Sequence, residues 1–236
     1  MDLAQGTYTD VIGDVSNRAF INEVFAEHKI EAVIHCASLH KPDIVRYPKQ
    51  SFVDVNVTGT LNLLEAAKAA GHDRFIFTST TSLMISNQIR AGVEGGAKRA
   101  FWLDETTAPL EPRNIYGATK FAAEKICHLF ADEMDSAILR TARFFLEDDD
   151  TLTAPYGPNL KANELLNRRL TVEDCVDAHI CALENIKGKG CQVYIVSAPT
   201  PFSREEAPEL VNDAAGLVAK YYPKVTEIYE KAGWIL

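Results

Sequence analysis

Two short stretches of this chain, Ala32-Val33-Ile34-His35-Cys36-Ala37 and Phe75-Ile76-Phe77, are apolar in runs rather than in alternation. A strand with one face in water alternates, so runs of this kind read as strands covered on both faces and central in a parallel sheet. Parallel strands need long crossovers between them, and segments of helical period supply those here. Residues 18–28 read as a helix, 32–37 as a strand, 49–70 as a long helix closed by Gly71, and 74–80 as a strand. Residues 115–133 then read as a helix and 137–145 as another strand, while Val11-Ile12-Gly13-Asp14 reads as a strand end ahead of the first helix. The predicted fold class is α/β, a parallel sheet with flanking helices.

Regularity drops after Phe145, at the acidic residues 147–150 and the loop 151–159 with Pro155, Gly157 and Pro158. Residues 169–174 read as a strand leading into a helix that carries Val176, His179, Ile180 and Leu183, and residues 192–197 as a further strand. From Pro201 onward the chain reads as mostly helical. The predicted organisation is a sheet domain over 1–146 and a mixed segment over 147–236, in which a returning strand and helix at 168–197 precede a small helical lobe.

Ligands of such sheets gather at the carboxyl ends of the strands. Ala37-Ser38, Thr78 to Thr80 and the start of the helix at Ile115 therefore converge on one crevice. That helix opens Ile115-Tyr116-Gly117-Ala118-Thr119-Lys120, and residues four apart share a helix face. Tyr116 one turn from the Lys120 ammonium would lose its phenolic proton more readily, and such a pair suits acid/base work near neutral pH. Eight tyrosines and thirteen lysines in 236 residues make roughly 0.4 such pairs by chance, so the motif needs its context. The hydroxyl-rich strand end at Thr80 and the lead-in Pro112-Arg113-Asn114 supply it.

A net charge of −9 and a pI near 5.2 argue against nucleic acid, whose phosphates call for clustered Lys and Arg. No stretch of about 18 apolar residues marks a membrane span, and no apolar leader follows Met1, so a cytoplasmic protein is expected. Cys36, Cys127, Cys175, Cys181 and Cys191 form no C-x-x-C pair, which suggests neither a disulfide framework nor a metal site. His35 on an apolar strand reads as a core histidine, the run 147–150 as a solvated loop, and His40-Lys41 as either a substrate contact or a surface pair.

Several motifs now stand in a fixed order: Gly13-Asp14-Val15, Val33-Ile34-His35-Cys36-Ala37, Asn56-Val57-x-Gly59-Thr60-Leu61-Asn62, Phe77-Thr78-Ser79-Thr80, Tyr116-Gly117-x-x-Lys120-x-x-x-Glu124, Leu139-Arg140 and Val172-Glu173-Asp174. Together, from Val11 to Ser197, they resemble an extended short-chain dehydrogenase/reductase of the NAD-dependent epimerase/dehydratase family. The resemblance implies a Rossmann-like sheet, a cofactor that is NAD or NADP, a small-molecule substrate and a C-terminal substrate lobe, with a homodimer left open. It implies that Asp14 and Val15 hold the adenine, that Cys36, Ala37 and Ser38 line the cofactor's ribose and pyrophosphate, and that Asn56 braces the helix beside it. Lys120 would hold the nicotinamide ribose, Tyr116 would exchange a proton with a substrate hydroxyl, and Thr80 would bond the same oxygen.

The family pattern also has a strand, a Gly-x-x-Gly-x-x-Gly turn, a helix and a second strand ahead of the segment at Val11. These 236 residues hold no such unit, so the expected sheet is incomplete at its N-terminal side, and with it the pyrophosphate site. Met84-Ile85 stands where the family has Tyr-Gly, and Arg143 where an Asn is usual. Residues 86–101, with Arg90, Lys98 and Arg99, form a longer insertion than typical, suited to closing over an anionic substrate. Three functional readings stay open: an epimerase, dehydratase or reductase of a hydroxyl-bearing substrate such as a nucleotide sugar; a truncated, non-catalytic interaction module; and a carbonyl reductase of the hydroxysteroid or flavonoid-reductase kind.

Overall fold

The computed structural model describes residues 1–89, 100–143, 157–167 and 169–235. At its centre four parallel strands lie side by side in the order β1 (Val33–His35), β2 (Arg74–Thr80), β3 (Asp135–Thr141) and β4 (Cys191–Val196). Ile34 stands opposite Ile76, Phe77 opposite Ile138, and Leu139 opposite Tyr194. The apolar run of β2 has its explanation in the two faces. Phe75 and Phe77 pack with Leu63, Leu64, Ala67, Ala123 and Ile138 on one side, and Ile76 packs with Ala137, Leu139 and Ile186 on the other. The sheet is Rossmann-like, with helices on both faces, as the sequence predicts.

α1 (Arg18–Glu27) precedes β1, and the crossovers that lead on to β2 and β3 are α2 (Lys49–Phe52), α3 (Gly59–Ala69) and α4 (Ile115–Leu129). The long helix predicted over 49–70 is one helical run interrupted by a π-helical turn at Val53–Thr58 between α2 and α3. Gly71, in the left-handed region at φ 80°, ends it, with His72 N donating to Ala67 O at 2.9 Å. A Cβ on Gly59 would lie 2.6 Å from Val15 Cγ2, so glycine there lets α3 seat against the N-terminal segment.

Four segments depart from the sequence expectation. Val11-Ile12-Gly13-Asp14 is not a strand: it makes one parallel bridge, Ile12 to Asp2. Among the described residues no strand lies alongside to extend a ladder, and Asn62 Nδ2 instead holds the carbonyls of Val15 and Ser16 at 3.0 and 3.1 Å. Residues 169–171 make scattered backbone bonds in place of a ladder: Arg169 N donates to Glu164 O, Leu170 N to Arg143 O and Ala198 N to Arg169 O. Thr171, read as β-forming, caps α6 (Val172–Asn185) by accepting from Asp174 N at 3.0 Å. β3 runs two residues earlier than predicted and stops at Thr141. The described part of the expected loop 151–159 already belongs to α5 (Gly157–Asn167), whose second residue is the proline that suits a first helical turn. The acidic run 147–150 and the insertion residues Arg90, Lys98 and Arg99 lie outside the described residues.

α6 and β4 return to the sheet, which places α6 across β2 and β3 on the Ile76 face. A smaller apolar cluster of Phe202, Leu217 and Val218 is built by α8 (Ala214–Tyr221) and its neighbours α7 (Ala207–Asn212) and α9 (Val225–Ala232), with Leu166 of α5 packed in. No described helix is long and apolar enough to cross a membrane.

Candidate active site

Two local devices bring Thr80 and Tyr116 to the same end of the sheet. Thr80 ends β2, and its hydroxyl turns the chain into a single 3-10 turn by accepting from Ser82 N at 3.1 Å. Asn114 caps α4 by accepting from Gly117 N at 2.9 Å. A Cβ on Gly117 would lie 2.9 Å from Pro112 Cβ, so the glycine permits the close turn just ahead of Tyr116.

Tyr116 and Lys120 are 3% and 2% exposed. Burial pushes the Tyr116 phenol up to about 12, while a hydrogen bond with the Thr80 side chain works the other way. Burial lowers Lys120 from 10.5 to about 8, opposed by the neighbouring Cys127, Cys36 and Glu124. The Lys120 ammonium lies 4.1 Å from the centre of the Phe77 ring. The spacing predicts a lysine that eases the loss of the tyrosine proton. In the structure burial prevails, and Tyr116 holds its proton more firmly than a tyrosine in water.

Behind this pair a buried carboxylate ties α4 to two strands. Glu124 accepts from Ser79 Oγ at 2.5 Å and from Arg140 Nε and Nη2 at 3.0 and 2.8 Å. Sequence reasoning passes over this triad as a functional group, although Glu124 four residues after Lys120 signals a buried acid in need of a cation on a neighbouring element.

The loop after β1 is pinned by Asn56, which stands in the π-helical turn. Asn56 Oδ1 accepts from Leu39 N at 2.8 Å, and Nδ2 donates to Leu39 O and to Thr119 Oγ1, each at 3.0 Å. Thr119 is a partner that the sequence does not reveal. The brace sets the His40 ring 4.6 Å from the Tyr116 ring, tilted 58°. Partial burial of the ring lowers the His40 pKa, with Asp43 pulling it back, although the residue as a whole stays exposed. His35 is buried beneath and driven down to about 3, first by burial. Its Nε2 meets Thr60 Oγ1 at 2.9 Å, and Thr60 in turn donates to Asn56 O at 2.7 Å, so Nε2 carries the hydrogen.

Two cavities that share His40 and Thr141 open at this end of the sheet. One, of about 350 Å³, is lined by Thr80, His40, Lys41, Arg113, Arg143 and Asn114 among others. The second, of about 420 Å³, takes in Cys36, Ser38, Thr78, Tyr116, Val176 and His179. Of the residues singled out from sequence, Thr80, Tyr116, Cys36 and Ser38 thus share one region. Lys120 lines neither cavity and lies behind Tyr116. Ala37 and Val15 line a third cavity, of about 340 Å³, on the outer side of β1. Asp14 stands apart with them, its carboxylate accepting from Ser16 N at 2.8 Å, and Asn56 acts as a brace.

A parallel α/β sheet with a Tyr-x-x-x-Lys helix at the carboxyl ends of its strands defines a protein of the short-chain dehydrogenase/reductase class. The model of the NAD dependent epimerase/dehydratase family matches residues 4–151, and the chain belongs to that family. It is 38% identical over 113 residues to the UDP-glucose 4-epimerase of Rhizobium leguminosarum bv. trifolii, a match that covers 48% of this chain and 31% of that one. With the UDP-glucose 4-epimerase of Lactobacillus helveticus it shares 26% identity over 242 residues, 89% of this chain and 69% of the relative. The solved UDP-glucose 4-epimerase of Thermus thermophilus, in complex with NAD, superposes with a TM-score of 0.61 at 22% identity, over 91% of this chain and 73% of that one. This last likeness is one of fold.

Proposed function

We propose that the chain carries the proton-transfer side of an NAD(P)-dependent epimerase/dehydratase-type oxidoreductase acting on a hydroxyl-bearing substrate such as a nucleotide sugar. One observation carries this reading: Thr80, the side-chain partner that counters the burial of the Tyr116 phenol, lines a cleft with Lys41, Arg113 and Arg143. Cations in that position suit the phosphates of a nucleotide sugar, and the curated relatives named above are UDP-glucose 4-epimerases.

The residues present fit a nicotinamide dinucleotide at one end. Ser38, in the cavity beside Tyr116, would line the ribose on the nicotinamide side, and Lys120, buried behind Tyr116, would have to reach it past the phenol. A pyrophosphate wants backbone N–H groups at a glycine turn opening a helix, and the glycine ahead of α1 offers none. A Cβ on Gly13 would lie 2.0 Å from the Phe20 ring, which fills that space, and Asn17 already accepts from Phe20 N at 3.2 Å in the first turn. The fit is therefore to half of the dinucleotide, and weak binding is expected. Bound there, NAD or NADP supplies the hydride acceptor. Tyr116, in its minor phenolate form, would take the proton of the substrate hydroxyl as the hydride leaves and would return it to the carbonyl oxygen when the hydride comes back, while Thr80 would hydrogen-bond the same oxygen.

Tyr116→Phe keeps the ring against His40 and removes the proton carrier. With NAD⁺ supplied, interconversion of UDP-glucose and UDP-galactose is expected to fall about 10²- to 10⁴-fold with thermal stability retained; unchanged turnover refutes the role. A second reading, that of a non-catalytic interaction module, draws on the outer edge of β1, which pairs with no strand among the described residues and leaves Ile34 38% exposed. Calorimetric titration with NAD⁺, NADP⁺ and UDP-glucose separates the two readings, and no heat with any of them favours the second.

A further inference from the structure

The proton chemistry at Tyr116 leaves unused a second line of hydrogen bonds on the opposite wall of the same cavity. His179, on α6 and 6% exposed, has Nδ1 2.6 Å from the carbonyl oxygen of Cys175. A carbonyl only accepts, so Nδ1 carries a hydrogen. In the neutral ring Nε2 is then an acceptor, and Thr78 Oγ1 donates to it at 2.7 Å. That uses the only hydrogen of the Thr78 hydroxyl. The Cys36 thiol, 3.1 Å from Thr78 Oγ1, must be the donor in its own bond.

Passing one proton from Cys36 through Thr78 to His179 reverses these donors without losing a bond. Nε2–H then donates to Thr78, Thr78 donates to the thiolate, and Nδ1–H stays on the Cys175 carbonyl. A thiol whose proton can leave along hydrogen bonds that survive the transfer resembles a nucleophile with its base. The Lys120 ammonium is within electrostatic reach of Cys36. Cys175 does not compete: it is buried, and burial pushes its thiol up. Cys36 is exposed, and Ile34, Val172, Val176 and Ile180 give the cavity in front of it an aliphatic lining.

We infer that Cys36 is a nucleophilic thiol, served by Thr78 and His179, that adds to an α,β-unsaturated carbonyl compound with an apolar body seated in this cavity. The sulfur lone pair forms a bond to the β-carbon, and the C=C pair moves to give the enolate. The proton that left Cys36 for His179 ends on the α-carbon. The product is a thioether containing every atom of the two reactants, so no oxidant or reductant is needed.

The test uses the whole chain at neutral pH with two probes, acrylamide and 2-octenal, read by intact mass and peptide mapping. Cys181, exposed on the same helix as His179, is the internal reference. An unassisted thiol is only a few per cent thiolate at neutral pH, so Cys36 is expected to react about ten-fold faster than Cys181 with either probe. The aliphatic lining is expected to widen that ratio for 2-octenal; an equal ratio for both probes overturns the preference for an apolar body. Thr78→Val is expected to bring Cys36 down to the Cys181 rate, and Thr78→Ser to restore it. Equal rates at Cys36 and Cys181 in the unaltered chain overturn the proposal, as does a Thr78→Val protein whose Cys36 reacts undiminished. Modification of buried Cys127 reports a variant that has opened. If Thr78→Val does so, His179→Gln takes its place with the same two outcomes.

Discussion

Replacing Lys120 with methionine is expected to stabilise the protein at neutral pH, by an amount that shrinks as pH rises. An unfolded lysine titrates near 10.5, whereas burial brings Lys120 down to about 8. Between those values the unfolded chain binds more protons than the folded one, so stability rises with pH across that window. Below it the buried ammonium weakens the fold in full, by about 3 kcal/mol. Its contact with the Phe77 ring, 4.1 Å to the centroid, offsets about 1 kcal/mol, and methionine keeps the packing of the stem. The net expected gain is about 2 kcal/mol, from the same linkage. Urea unfolding of both proteins, from neutral pH to about pH 10, reads it directly. Burial raises Tyr116 and Cys191, which lowers stability at the alkaline end, but both proteins share those groups, so the difference isolates Lys120. A less stable Lys120→Met at neutral pH, or a difference that stays flat across the window, would refute the reasoning.

Glu124→Ala leaves the Arg140 guanidinium, 5% exposed, without its counter-charge and is expected to cost about 3–5 kcal/mol; pairing Glu124→Met with Arg140→Met should recover most of that loss in urea unfolding. Asn56→Ala removes three hydrogen bonds, with an expected loss of about 1–3 kcal/mol and faster hydrogen exchange at the Leu39 amide, which an unchanged exchange rate would contradict. His35 titrates at about 3 when folded and 6.5 when unfolded, so the unfolded chain binds more protons between those values and stability falls as pH drops through them. His35→Gln is expected to flatten that acid limb, and parallel limbs would count against burial as the cause.

What the sequence makes legible is what depends on local period. β2 can be read to the residue because Phe75, Ile76 and Phe77 bury on two faces and leave no alternation to misread. The Asn114 cap places the start of α4 for a similarly local reason. The π-helical turn at Val53–Thr58 is not legible, because its period differs from the flanking helix by little and its cause is Asn56 reaching Leu39 and Thr119 across the fold. Thr171-Val172 misleads for the opposite reason: β-branched residues raise strand propensity, yet the Thr171 hydroxyl meets the Asp174 amide and begins a helix. Val11-Ile12 reads as a strand in any window, and pairing, which makes a strand, belongs to its neighbours.

The same division runs through the candidate site. Helical spacing puts Tyr116 and Lys120 on one face, and the structure keeps them there, but spacing carries no information about solvent. Tyr116 is raised and Lys120 lowered chiefly because each is buried, and that burial draws on residues such as Phe77 and His40 that stand tens of positions away. Cys36 carries the point further. Read from its motif it lines a cofactor; its hydroxyl partner is 42 residues along the chain, and the histidine beyond that a further 101. A thiol, a hydroxyl and an imidazole so placed form no motif, and they meet only because β1 and β2 pair in parallel while α6 crosses the open face above them. Where groups must exchange a proton, position in the sequence names the candidates, and the fold decides which of them have somewhere to send it.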